Sequence, residues 1–180
     1  MLKEILQAQL IPTSREFYNQ KSALRISASK NGIFFEIANA TGKSNAGANT
    51  FGWRGKEVED SETVKLSESE VLNIEGLIRL FYEKGEKAFK EEARRICGKD
   101  FLELYHKTET GDKIISLRVY QGKLFLNISV SKDRRLNFVI FPSEQRILRE
   151  YLLYVVNKRF QINDTLKYLE YISSKTETSS

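Results

Sequence analysis

The sequence predicts an α+β protein in which two antiparallel four-stranded sheets are each followed by a helix, ββββα twice over. Three observations lead there. Residues 102–154 give strand signals and then a helix signal without a break, with turn residues between the strands. Strand runs alternate apolar and polar residues with a period of two, which assigns each strand a core face and an outer face. The same order of signals, strands and then a capped helix, occurs earlier in the chain.

Taken in order, residues 1–11 (MLKEILQAQLI) carry apolar side chains at 2, 5, 6 and 10, the spacing of a short amphipathic helix that Pro12 ends. Residues 18–28 contain an alternating strand with Leu24 and Ile26 inward and Arg25 and Ser27 outward. Lys30-Asn31-Gly32 is a hairpin turn, and 33–38 return with Ile33, Phe35 and Ile37 on one face and Phe34 and Glu36 on the other. Residues 39–60, rich in Gly, Asn, Ala and Lys, predict a long, mobile loop carrying the single tryptophan, Trp53, beside Arg54 and Lys56. A short strand over 61–66 leads to Ser67-x-x-Glu70, a capping box that opens a helix. Gly85 interrupts this helix, 86–97 continue it, and Gly98 is its C-cap.

In the second half, strands over 102–107, 114–120, 123–131 and 136–141 are separated by turns at Thr110-Gly111-Asp112, Gln121-Gly122 and 132–135. Ile115, Leu117 and Val119 share a face with Leu124, Leu126, Ile128 and Val130 and with Leu136, Phe138 and Ile140. The opposite face holds Ser116, Arg118, Tyr120, Lys123, Phe125, Asn127 and Ser129, in which an exposed Phe125 has no ordinary use. Pro142-Ser143 stops the sheet and opens a helix over 143–158, with a further helix over 163–172. The low-complexity residues 173–180 are expected to be a disordered tail.

The two halves read as one domain over 1–180 built by duplication, about 13–98 and 99–160. Asn31-Gly32-Ile-Phe-Phe corresponds to Gln121-Gly122-Lys-Leu-Phe. Ser67-Glu68-x-x-Val71-Leu72 corresponds to Ser143-Glu144-x-x-Ile147-Leu148 in the same order.

Composition narrows the function. With 41% hydrophobic and 29% charged residues the chain has the balance of a soluble globular protein. No apolar run approaches the ~20 residues of a membrane span, and no secretory leader is evident. A single cysteine, Cys97, excludes an internal disulfide and a multi-thiolate metal site. These features point to an intracellular protein, cytoplasmic or nucleoid-associated. The net charge of +5 is unevenly placed: segment 13–56 holds seven Lys/Arg against two acids, whereas 61–96 holds seven against eight. Positive charge therefore gathers on strands and loops, where a polyanion would meet it.

Catalytic signatures are missing. Gly42-Lys43-Ser44 lacks the earlier glycine of a phosphate-binding loop, because Ile37 occupies that place. The one histidine, His106, lies in a strand, and no pair of acids has the spacing of a hydrolase or a metal site. The reading is of a protein that is not an enzyme and has neither cofactor nor metal.

Several motifs resemble the Whirly family of single-stranded DNA-binding proteins. The strand Tyr18-Asn-Gln-Lys21-Ser-Ala-Leu24-Arg-Ile-Ser27 resembles that family's signature strand, and Phe51-Gly-Trp53-Arg54 stands where it has an aromatic-Asp-Trp loop. Thr63-Val-Lys-Leu-Ser-Glu-Ser-Glu-Val resembles its strand-to-helix junction, and 104–156 its second half. The resemblance covers roughly 18–156. The tight turn at Ser29–Gly32, the inserted residues 85–100 and the tail beyond 158 depart from the plant pattern. It implies a Whirly-like domain, single-stranded DNA or RNA as partner with DNA favoured, and a homo-oligomer, a tetramer by analogy.

The candidate interface follows from the outer faces. Lys21, Arg25, Lys30, Arg54, Lys56, Arg118, Lys123 and Arg134 are the candidates to neutralise phosphates. Phe34, Trp53, Tyr120 and Phe125 are the candidates to stack bases, with weak sequence preference. The competing reading is a non-enzymatic protein-interaction or regulatory module using the same faces.

Overall fold

The computed structural model describes residues 1–109, 111–131 and 133–177. Helix α1 (Leu2–Gln9) precedes the first sheet, built from β1 (Thr13–Tyr18), β2 (Ser22–Ser29), β3 (Gly32–Lys43), β4 (Asn49–Phe51) and β5 (Ser61–Leu66). Helix α2 (Glu68–Cys97) leads to the second sheet, β6 (Leu102–Thr108), β7 (Gly111–Tyr120), β8 (Lys123–Ser129) and β9 (Arg135–Ile140), and α3 (Gln145–Glu177) closes the chain. All pairings are antiparallel. In the second sheet the order is β6-β7-β8-β9; in the first, β1-β2-β3 continues with β5 against one stretch of β3 and the short β4 against its extension. The fold class is therefore the expected one, α+β with two antiparallel sheets each followed by a helix, but the first sheet has five strands rather than four because the short β4 joins it.

The inner faces follow the period of two. Leu24, Ile26, Ile33, Phe35 and Ile37 of the first sheet are fully buried, as are Leu117, Leu124, Ile128 and Phe138 of the second. One apolar cluster runs through both sheets and both long helices, so the halves share a core. The helices brace across the halves. Tyr82 of α2 donates to the carbonyl of Ile140 in β9, while Tyr151 of α3 reaches the carbonyl of Ile26 in β2 (3.4 Å). Arg149 on α3 pairs with Glu75 on α2 at 2.9 Å.

The helix ends behave as their residues dictate. Ser67 and Glu70 form a reciprocal capping box, and Gly98 closes α2 in the left-handed region (φ 74°). Gly85, with φ 84° and ψ −178°, breaks α2 in a conformation that only glycine adopts without strain.

Four expectations need correction. Strand β1 was not assigned in the sequence, because only Phe17 of its six residues is buried. Residues 39–60 are not a free loop: β3 runs on to Lys43, β4 pairs with it, and Trp53 is 6% exposed. Gly52 explains the compactness, since its N–H donates to Asn39 and its carbonyl accepts from Asp60 (2.8 Å). A Cβ at Gly52 would lie 2.5 Å from the Asp60 nitrogen. The two C-terminal helices are one, α3, which runs without interruption to Glu177, so residues 173–177 of the expected tail are helical. Its last three residues, together with Thr110 and Lys132 of two expected turns, lie outside the described residues. Finally, a helix that covers the apolar face of the sheet it follows, the simplest arrangement of a ββββα unit, is not what forms: α3 lies against β2 and β3, and α2 against β6.

Candidate nucleic-acid interface

The outer face of the first sheet is ordered by register. Tyr18, Ala23, Ala38 and Ser61 form one row, and Glu16, Arg25, Glu36 and Thr63 the next. Ala23 and Ala38 are small enough to leave a seat, and the Trp53 ring occupies it beside Phe51. Arg25 lies over the Trp53 ring, 4.1 Å from its centroid. Its guanidinium also donates to Glu16 (2.6 and 2.8 Å) and Glu36 (3.2 Å). Glu36 in turn accepts from the Arg54 N–H (2.9 Å) and the Ser61 hydroxyl (2.8 Å). The loop is thus fastened to the sheet through a carboxylate, a cation–π contact worth about 0.5–2 kcal/mol and an apolar seat. Beyond it, Phe34 is half-buried and Lys30 exposed.

The second sheet repeats the device with different residues. Arg118 stacks on Phe101, 3.7 Å from its centroid, and pairs with Glu103 at 3.0 Å. Burial alone would push the Glu103 carboxyl up, but bonds from Lys99 and Tyr105 and the charges of Lys99 and Arg118 hold it below the ordinary value. Asn127 and Ser116 bond each other on this face (3.3 Å), and Phe125 stands between Arg118 and Val139 in register. Tyr120 is 64% exposed. At the seam between the sheets Arg134 pairs with Glu62 (2.7 Å) and Asp60 (3.7 Å), and Lys113 with Glu62 (2.9 Å).

Three clefts join these faces. One of about 580 Å³ on the second sheet is lined by Phe101, Arg118, Tyr120, Phe125, Arg135 and Asn137 among others. The next, about 770 Å³, lies between the sheets and shares Phe125 and Asn137 with the first. It adds Lys21, Lys123 and Phe141, and reaches Tyr18 at the end of β1 and Asn19 of the β1–β2 turn. Those two residues also border the third cleft, again about 770 Å³, with Phe51, the edge of Trp53 and Lys56. The clefts are therefore contiguous, a track crossing both sheets.

Six of the candidates chosen from sequence border this track: Lys21, Trp53, Lys56, Arg118, Tyr120, Lys123; Phe125 makes a seventh. Lys21, Lys56 and Lys123 form no ion pair among the described residues and are exposed. Arg25, Lys30, Phe34, Arg54 and Arg134 border none of the three clefts. Arg25, Arg118 and Arg134 spend their charge on neighbouring carboxylates, and Trp53 offers only an edge. Sequence reading passed over Tyr18, Phe101, Phe141 and Arg135. Tyr18 and Phe141 stand at the ends of strand runs, Phe101 just ahead of one and Arg135 in an expected turn, where alternation assigns no face. Among the described residues no group of three His, Cys, Asp or Glu side chains could hold a metal, and no helix is long and apolar enough to cross a membrane.

The fold so described is Whirly-like. Among solved structures the chain is similar to the crystal structure of WHY3 from Arabidopsis thaliana, with a TM-score of 0.53 and 15% identity, over 89% of this chain and 96% of that one. No family model matches the sequence, and no curated protein matches it.

Proposed function

We propose that the protein binds single-stranded nucleic acid, DNA in preference to RNA, along the track formed by the three clefts, and that it acts without catalysis or cofactor. The observation that carries this reading is the contiguity of the clefts, which bring aromatic rings together with Lys21, Lys56 and Lys123, lysines that form no ion pair among the described residues. Single strands are held by that combination, because every base has a stackable face and every linkage a charge. Tyr120 and Phe125 are the main stacking platforms, with Tyr18, Phe51 and Phe101 beside them. Lys21, Lys56 and Lys123 take the phosphates, and Lys30, Arg54 and Arg134 add to the surrounding positive field. Arg25 and Trp53 serve the interface indirectly by fixing its floor. An intracellular site of action goes with such a ligand.

The test is a fluorescence-anisotropy titration of labelled single-stranded DNA, single-stranded RNA and duplex DNA at low and moderate salt. Single strands should bind much more tightly than duplex, whose bases are already stacked. The logarithm of affinity should fall with that of salt by about 0.7 for each phosphate contacted. Equal affinity for duplex, or no binding at low salt, would overturn the proposal.

A second reading has an observation of its own. The outer side of α3 exposes Ile147, Tyr154, Phe160 and Tyr168, each 46% or more. We propose that this side joins copies of the chain, a tetramer by the family resemblance.

A further inference from the structure

Two residues that line the cleft between the sheets carry a polar atom that no described residue satisfies. The Asn19 amide nitrogen and Glu144 Oε2 are both buried and without a hydrogen-bond partner among the described residues, and both side chains line this one cleft. Buried polar groups are almost always hydrogen-bonded, so two unsatisfied ones on residues that line one cleft call for an occupant.

The chemistry of the pair is fixed. Asn19 Oδ1 accepts from the N–H groups of Lys21 (3.0 Å) and Ser22 (2.8 Å) and from the Ser22 hydroxyl (3.2 Å). That turn dictates which end of the amide is free: the NH₂, a donor. Glu144 stands just ahead of α3, whose N-terminus favours the ionised form, while burial pushes its carboxyl above the ordinary range. An ionised carboxylate can only accept, and accepts two parallel donors best. The lining of the cleft therefore includes one free donor and one carboxylate able to accept two.

We infer that this cleft holds one guanine of the bound strand, reading its Watson–Crick edge with Asn19 and Glu144. Guanine alone among the DNA bases places two adjacent N–H donors, N1–H and the 2-amino group, next to a carbonyl acceptor, O6. Adenine and cytosine each bring one amino donor, and thymine one N–H between two carbonyls. The Glu144 carboxylate takes both guanine donors and the Asn19 NH₂ donates to O6. Phe125, at the boundary with the neighbouring cleft, supplies a ring for the base, and Lys21 and Lys123 hold the flanking phosphates. The cleft's volume of about 770 Å³ accommodates a nucleotide. Its continuity with the clefts on either side is the reason to assign a base within a strand rather than a free nucleotide.

The inference rests on the single-strand reading above, and the experiment separates the two. Anisotropy titrations use the full chain with oligo-dT strands carrying one central dG, dA, dC or dT. The dG strand should bind about tenfold more tightly than the other three, the scale of one good bidentate base contact. In Glu144→Gln, and in Asn19→Asp, which keeps the oxygen that shapes the turn but removes the donor, the ratio of dG to dT affinity should fall to near one. Strong binding of all four strands alike overturns the guanine site and leaves the single-strand reading standing. Binding of none overturns both. A dG preference that survives both substitutions, or a preference for dA or dC, overturns the assignment of this cleft. A melting-temperature rise with dGMP but not dTMP, without discrimination between strands, makes the cleft a mononucleotide site and overturns the inference.

Discussion

At the scale of single residues, the outer-face aromatics divide by what covers them. Trp53 is buried beneath Arg25, so Trp53→Ala should destabilise the protein by about 3–5 kcal/mol, as read by chemical denaturation. Phe125 is half-buried with a cleft on either side. Phe125→Ala should weaken affinity for single-stranded DNA about tenfold or more and leave the melting temperature nearly unchanged. A fold loss with unaltered affinity would remove Phe125 from the interface. Glu144 gives a pH-dependent prediction. Its folded pKa lies above the ordinary value of 4.5 because burial penalises the charge, so the folded state binds its proton more readily than the unfolded chain. Its contribution to stability is therefore greatest below the unfolded value and declines as pH rises through the folded one. Glu144→Gln should raise the melting temperature at neutral pH, with the gain vanishing once pH falls below the unfolded value of 4.5. Which aromatic faces water was legible for Tyr120 and Phe125, since alternation alone sets their side of the strand. For Trp53 it was not, because its burial depends on Ala23 and Ala38, which lie far from it in sequence and make room only after the hairpin forms.

At the scale of elements, the strands with two or more inward apolar residues were readable, together with their turns and the cap at Ser67. Strand β1 was not, because an edge strand with one buried residue has almost no periodic signal. The extension of β3 and the pairing of β4 were hidden in glycine- and asparagine-rich sequence, whose order comes from backbone bonds around Gly52 rather than from side-chain pattern. The break at Gly85 was visible, and the structure explains why it must be glycine. A substituted side chain would meet no neighbouring atoms, so the cost of Gly85→Ala is backbone strain alone, about 1–3 kcal/mol. Thermal melting of Gly85→Ala should show that loss, and an unchanged melting temperature would mean that α2 straightens at no cost.

At the scale of the whole molecule, the two sheets are locked at a seam in which Glu62 of β5 accepts from Lys113 of β7 and from Arg134 ahead of β9. The three clefts run from one half to the other, so the proposed track draws on both halves. Helix α1, which leaves no residue buried, is held by bonds from Lys158 and Thr165 of α3 to Gln9. Light scattering at micromolar concentration should give a mass several times that of one chain, and a charged substitution at Phe160 should reduce it; a monomer mass for the unaltered protein would contradict the assembly. The measurement that tests the track most directly is photocross-linking of 5-iododeoxyuridine strands followed by peptide mapping. Cross-links are predicted on both sheets, at Tyr18, Phe51, Phe101, Tyr120 or Phe125, and should disappear when unlabelled single strand is in excess. Cross-links confined to α3, or to one sheet alone, would contradict a strand lying across the two.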